Sequence, residues 1–367
     1  MLNDGFSRRR FLQNVAAGST GAALATLPLT ARPGSPVTVE PYPLAAPGPA
    51  AGTVKIVTQV NLAEGHQEQL RAVGPNVQLR LCDSGEEFRR EIADAQVVYG
   101  HFSREDFAAA KQLRWIQYTA AGVEGILSPE LVESPVVLTN MARVYAPAIS
   151  ETVIGLILAL ARGLNRYAIS TRERRWDRAE GLFDISGLTM GIVGLGGIGT
   201  ETACRAHYGF GMKVLAVDPK PLPKPQFVAE LHSPDWLMTM VPQVDFLVSA
   251  APHTRQTEKM FNETVFRAMK SSALFINVSR GKLVDPPALV RALQEGWIAG
   301  AGLDVAHLEP LPSDDPLWAA GNVLITGHTS GWTPRTPARQ MALFGENVRR
   351  YLTGLPLLNV VDKRRGY

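Results

Sequence analysis

The sequence predicts an α/β protein built from two doubly wound, mostly parallel-sheet domains, and three observations carry that expectation. From about Thr53 onward, short β-branched runs alternate with helical stretches; a long apolar helix divides the alternation in two; and the second half opens on a strand followed by a glycine-rich turn. Parallel strands are buried on both faces and need a crossover helix to bring the chain back, so continuous apolar runs separated by helices are their signature. The chain has 367 residues, 46% apolar and 19% charged, which is more than one domain of ordinary size and too apolar for a disordered chain. Its net charge is only +3, so no basic face suited to nucleic acid is expected. The two cysteines, Cys82 and Cys204, cannot form a disulfide framework or a cysteine metal site, and no His and carboxylate pairs show ligand spacing on one helix, so no metal is expected.

Taken in order, residues 1–31 are expected to be removable. Ser7-Arg8-Arg9-Arg10-Phe11-Leu12-Gln13 precedes a weak apolar run from Val15 to Leu29, interrupted by Gly18, Ser19, Thr20 and Gly21. This resembles a twin-arginine export signal, with Ala23-Leu24-Ala25 as a cleavage site. It implies a periplasmic or exported protein, with a cytoplasmic location as the alternative, and no stable membrane insertion follows from so short a run. Residues 32–52 hold Pro33, Pro36, Pro41, Pro43, Pro47 and Pro49 and read as an extended linker.

The first domain, residues 53–150 completed by 334–367, is expected to carry strands at Val54–Val57, Val77–Leu79, Val97–Tyr99, Trp115–Tyr118 and Val136–Leu138. A buried inter-domain helix runs from about Ser150 to Arg166. The second domain, residues 151–333, is expected to carry six strands: Thr189–Val193, Lys213–Val217, Phe246–Ser249, Ala273–Asn277, Gly300–Leu303 and Val323–Thr326.

The first of these six runs into Gly194-Leu195-Gly196-Gly197-Ile198-Gly199 and then a helix from Thr200 to Tyr208. In that setting Gly194 permits the tight turn and Gly196 lets backbone amides approach a pyrophosphate. Gly199 lets the helix pack close to the strand. Asp218 lies 19 residues beyond Gly199 at the end of the next strand, where a carboxylate can hold both ribose hydroxyls and repel a 2′-phosphate. The expected cofactor is therefore NAD rather than NADP, although Lys220 close by softens the discrimination, and both halves read as Rossmann-like.

Three later strands end in polar residues: Asn277-Val278-Ser279-Arg280-Gly281, Leu303-Asp304-Val305 through Glu309-Pro310, and Gly327-His328-Thr329-Ser330-Gly331. Carboxyl ends of strands in a doubly wound sheet face the ligand crevice, so Arg280, Glu309 and His328 can converge. Arginine binds a carboxylate with a bidentate fork, and a histidine beside a carboxylate can give a proton to a carbonyl oxygen.

With these motifs in order, the sequence resembles the D-isomer-specific 2-hydroxyacid dehydrogenase family over nearly all of residues 53–360. The resemblance implies a catalytic set of Arg280, Glu309 and His328 in an active-site cleft between the two domains. It implies cofactor contacts at Gly197, Ile198, Asp218, Ala251, Pro252, Val278, Ser279, Asp304 and Gly331, beside Gly194, Gly196 and Gly199. Tyr118-Thr119-Ala120-Ala121-Gly122-Val123-Glu124 looks like the family's substrate loop, so Gly122 and Val123 inherit the binding of a 2-oxo acid carboxylate through backbone N–H groups. The implied reaction is NAD-dependent reduction of a small 2-oxo acid to the D-2-hydroxy acid, or the reverse, by a homodimer. Ser150-Glu151-Thr152 replaces the commoner Ala-Glu-His, and His253 and His307 are further departures that could tune the pocket. Tyr118, Tyr145, His101 and Trp332 are candidates for lining it. The rival expectation is an exported NAD-retaining or NAD-sensing binding protein with little turnover, since the same scaffold serves in corepression.

Overall fold

The computed structural model describes residues 52–367; the expected export signal and the linker up to residue 51 lie outside the described residues. Five parallel strands form the first sheet: β1 (Val54–Thr58), β2 (Val77–Leu81), β3 (Val97–Tyr99), β4 (Trp115–Gln117) and β5 (Val137–Thr139), in the order β2-β1-β3-β4-β5. Its centre is covered on both faces, with β3, β4 and β5 buried at every position. One face packs Val54, Ile56, Tyr99 and Trp115 against Phe344, Val348 and Tyr351 of the C-terminal helix Thr336–Thr353. That helix therefore returns to the first sheet after the second is complete. The tail beyond it pairs Thr139 with Val360 in an antiparallel bridge, and Lys363 Nζ donates to the carbonyls of Leu131, Ser134 and Val136.

The second sheet has seven parallel strands, one more than expected. They are β6 (Thr189–Val193), β7 (Lys213–Val217), β8 (Glu230–His232), β9 (Phe246–Ser249), β10 (Leu274–Asn277), β11 (Gly300–Leu303) and β12 (Val323–Ile325), in the order β12-β11-β10-β9-β6-β7-β8. The chain winds outward from β6 in both directions, so the order reverses between β6 and β9 and opens a crevice at their carboxyl ends. The added strand β8 sits at the edge and, among the described residues, pairs only with β7.

The apolar inter-domain helix departs from expectation at both ends. It spans Ala146–Ala161 rather than Ser150 to Arg166, with Pro147 in its first turn, where a missing N–H costs nothing. It stops because Gly163 takes a left-handed conformation, φ 63°, which only glycine adopts without strain. The next helix, Leu164–Arg172, leaves at 69°. Val153, Leu156, Ile157 and Leu160 pack with Met190, Ile192, Phe246 and Ile276 of the second sheet, so the apolar face is core. Among the described residues no single helix is long and apolar enough to cross a membrane.

Candidate active site

The glycine-rich turn after β6 is shaped by contacts a side chain would break. A Cβ on Gly194, which has φ 94°, would stand 2.8 Å from the Ala250 carbonyl oxygen and the Ala251 backbone, and a Cβ on Gly199 would stand 2.1 Å from the Gly194 carbonyl oxygen. The turn, the start of the helix Gly197–Phe210 and the end of β9 are thus locked together. Gly196 has nothing within 4 Å of its absent Cβ, which leaves open approach to the first amides of the helix, groups with no intrahelical partner. Gly197 backs onto Arg143, whose Cα would lie 2.9 Å from an added Cβ. Ile198 is half-buried, Ala251 and Val278 are buried and Pro252 is exposed.

Asp218 caps this turn from β7. One carboxylate oxygen accepts from the Leu195 N–H at 2.8 Å and the other from the Lys220 N–H at 2.8 Å. Burial pushes its carboxyl above the ordinary value, against the pull of those two amides and of the Lys220 charge. A phosphate-accessible helix start and a carboxylate on the neighbouring strand end fit a dinucleotide, whose pyrophosphate and ribose need these two features.

Arg280 leaves the end of β10 on a turn built by Asn277. The Asn277 side chain accepts from the Ser279 N–H at 3.1 Å and hydroxyl at 2.9 Å, and donates to the Arg280 carbonyl at 3.0 Å. Ser279 and Ser249 hydroxyls meet at 2.7 Å, tying β10 to β9. The Arg280 guanidinium reaches the Tyr118–Glu124 loop that follows β4 of the first sheet, where Nε donates to Glu124 Oε1 at 2.5 Å, while Nη1 donates to the Ser279 carbonyl at 2.7 Å. Burial alone would raise the Glu124 carboxyl, but the Arg280 charge and hydrogen bond hold it below its ordinary value. Tyr118, buried beneath, has its phenol pushed up by burial and by Glu124.

The Tyr118–Glu124 loop is also held from its own domain. Ala120 and Ala121 carbonyls accept from Met141 N–H at 3.0 Å and Asn140 Nδ2 at 2.6 Å. Tyr145 does not line an open pocket with its hydroxyl; it donates to the Thr119 carbonyl at 2.5 Å and accepts from Gln340 at 2.8 Å. Its ring meets Trp332, which is 65% exposed, and lies against Gly331. His101 is exposed and edge-on to Tyr118.

His328 and Glu309 form a direct pair, Nδ1 to Oε2 2.6 Å, and Glu309 Oε1 also accepts from the Ala306 N–H at 3.0 Å. His328 has φ 55°, unusual for a residue with a side chain. Asp304, buried at the end of β11, holds it there: its carboxylate accepts from the Thr326 hydroxyl at 2.5 Å, from the Thr329 and Ser330 N–H groups at 3.2 and 3.3 Å, and from the Ser330 hydroxyl. Its own carbonyl accepts from the His328 N–H at 2.7 Å. The Arg280 turn rests on the Glu309 loop through Gly281, where a Cβ would strike the Ala306 carbonyl oxygen at 1.8 Å. His307 faces away to Asp315 at 3.1 Å. Among the described residues no group of three or more His, Cys, Asp or Glu side chains could hold a metal ion.

The structure thus brings Arg280 to Gly122, and His328 to Glu309, with Asp304 as the anchor of the histidine loop. Sequence reasoning assigned no role to Glu124, Asn277 or Arg143. The signal for Asn277 was its position two residues before Ser279, where an Asn side chain bonds its own backbone readily.

Residues 154–330 match the family model of the D-isomer specific 2-hydroxyacid dehydrogenase NAD binding domain. A glyoxylate reductase of Korarchaeum cryptofilum is 36% identical over 267 residues, 71% of this chain and 79% of that protein. A glyoxylate/hydroxypyruvate reductase B of Escherichia fergusonii is 33% identical over 278 residues, 73% and 85% of the two chains. Among solved structures, a D-isomer specific 2-hydroxyacid dehydrogenase family protein from Aeromonas salmonicida superposes with TM-score 0.74 at 30% identity, covering 86% of this chain and all of that one. A D-isomer specific 2-hydroxyacid dehydrogenase from Xanthobacter autotrophicus, in complex with NADPH and MES, gives TM-score 0.74 at 28% identity, covering 87% of this chain and all of the other. With relatives 33–36% identical over more than two thirds of their length and two parallel sheets that superpose on a solved member, this chain belongs to the D-isomer specific 2-hydroxyacid dehydrogenase family.

Proposed function

We propose that the protein reduces a small 2-oxo acid to the corresponding D-2-hydroxy acid, and that the His328–Glu309 pair is the proton donor. The observation that carries this reading is the 2.6 Å contact between His328 Nδ1 and Glu309, on a loop joined through Gly281 to the turn that presents Arg280. Gly194, Gly196, Gly197 and Asp218 would hold a nicotinamide dinucleotide, which when bound supplies the hydride equivalent. Arg280 and the Gly122 and Val123 amides bind the substrate carboxylate and orient the 2-oxo group. The His328 ring nitrogen opposite the Glu309 contact gives its proton to the carbonyl oxygen, and Glu309 fixes the ring orientation through its hold on Nδ1. Negative charge gathering on that oxygen is met by the imidazolium and by Arg280, the larger part of the expected rate gain. The Asp218 carboxylate supports NAD over NADP.

The test is cofactor oxidation by the purified chain with glyoxylate, hydroxypyruvate, pyruvate and phenylpyruvate, comparing NADH with NADPH. Turnover with NADH exceeding that with NADPH is expected, and His328→Ala and Arg280→Ala should each lower kcat/KM by about 100-fold or more. Near-wild-type rates in either variant overturn the assignment. The arginine pair at Arg8 and Arg9 favours a second reading, in which folded protein is exported with its nucleotide bound; native protein from the envelope fraction that yields no nucleotide on denaturation would refute it.

A further inference from the structure

We propose that Glu124 is a specificity-determining residue, excluding 2-oxo acids that carry a second negative charge; this rests on the reading of the site given above. The basis is the way Arg280 is already engaged. Its Nε donates to Glu124 Oε1 at 2.5 Å and its Nη1 to the Ser279 carbonyl at 2.7 Å. Its Nη2 and Glu124 Oε2 lie 2.0 and 2.5 Å from the point that a Cβ on Gly122 would occupy. The absent side chain of Gly122 is therefore the space in which one edge of the guanidinium and a carboxylate meet. Glu124 thereby sits on the same loop as the two amides assigned to the substrate carboxylate.

Electrostatics follows from that placement. Arg280 and Glu124 are about one-third exposed, at 33% and 34%, so their charges are only partly screened. Arg280 has one positive charge, and Glu124 already balances it. A monoanionic 2-oxo acid brings the group to one net negative charge, which the amide dipoles of Gly122 and Val123 can bear. A dianion brings it to two, with no charge left in the pair to offset the second. His253 and Tyr118 are the other titratable groups that couple to Glu124, and neither carries the permanent positive charge of an arginine; His253 Nε2 is buried without a hydrogen-bond partner in the described residues.

The experiment compares wild type, Glu124→Gln and Glu124→Asp by steady-state kinetics with glyoxylate as monoanion and with oxaloacetate and 2-oxoglutarate as dianions. In Glu124→Gln the ratio of kcat/KM for dianion over monoanion should rise about tenfold or more, through KM of the dianion. Glu124→Asp, which keeps the charge, should stay within about threefold of wild type. Because the Gln variant could misplace Arg280 and lose turnover with every substrate, binding of oxalate and oxamate to the cofactor complex is measured alongside by fluorescence. The oxalate to oxamate affinity ratio should rise in the Gln variant whether or not it turns over. A ratio unchanged in both assays, or moved equally by Asp, overturns the proposal while leaving the reductase reading intact. Wild-type protein that neither turns over a 2-oxo acid nor binds oxamate overturns both.

Discussion

Replacing Asp304 with asparagine keeps the shape of the side chain and removes one acceptor oxygen from a buried site, so its cost can be worked from the bonds in place. Asp304 is 1% exposed and accepts from two hydroxyls and two backbone N–H groups. Whichever way the amide of Asp304→Asn turns, its NH2 faces either the Thr326 hydroxyl with the Thr329 N–H or the Ser330 hydroxyl with the Ser330 N–H. A hydroxyl can rotate and accept, but a backbone N–H cannot. One buried N–H is left unpaired, at about 1–3 kcal/mol, and the remaining bonds lose their ionic partner, at about 1 kcal/mol, for a total of about 2–4 kcal/mol. The loop so loosened is the one that holds His328 at φ 55°, a conformation that survives only where surrounding bonds enforce it. Turnover should therefore fall about tenfold or more as His328 drifts from Glu309. Urea denaturation of the full chain reads the first quantity and NADH oxidation the second. A stability loss under about 1 kcal/mol with unchanged kcat would refute the assignment of Asp304 as the anchor of this loop.

Two further predictions address the nucleotide turn and the surface. Gly199→Ala puts a methyl group 2.1 Å from the Gly194 carbonyl oxygen, so the helix Gly197–Phe210 must shift from the turn, and NADH affinity measured by fluorescence titration should fall about tenfold or more; wild-type affinity would show that the close packing is dispensable. Glu346 is held at about 2 by hydrogen bonds from Arg349 and Arg350 and by their charges, below its ordinary 4.5. The stabilisation is thus present above about pH 4.5 and is lost as pH falls toward 2, and with Arg349 half-exposed it amounts to less than about 1 kcal/mol. The difference in denaturation midpoint between wild type and Glu346→Gln should shrink over that window, and a difference that stays constant down to pH 2 would remove the ion pairs as its cause.

Most strands were legible because burial on both faces leaves no alternative to an unbroken apolar run, as in Phe246–Ser249 and Leu274–Asn277. The strand Glu230–His232 escaped because it is an edge strand, half-buried to exposed along its three residues, and an edge imposes no such run. The early stop of the inter-domain helix is a different case. Arg162-Gly163 is a helix-stop signal, but the residues beyond it continue helical, so local pattern showed one long helix where a glycine has bent two apart.

The site divides along the same physical line. Arg280, Glu309 and His328 could be placed because each follows a strand of one sheet, and parallel strands of one sheet deliver their carboxyl ends to one edge. Glu124 could not be placed by that rule: it belongs to the other sheet, 156 residues before its partner, and nothing in its own segment says which surface it faces. Its role depends on a space made by Gly122 and on a turn made by Asn277, neither of which announces a charge partner in sequence. Strand order reveals which groups a crevice owns, whereas the closing of one domain on another decides which of those groups are already satisfied. In this protein the arginine expected to receive a substrate carboxylate is met by a carboxylate of its own chain, and on the proposal made above that carboxylate sets which charges a substrate can bring. Specificity would then live in the residue that the strand-end motifs leave unmentioned.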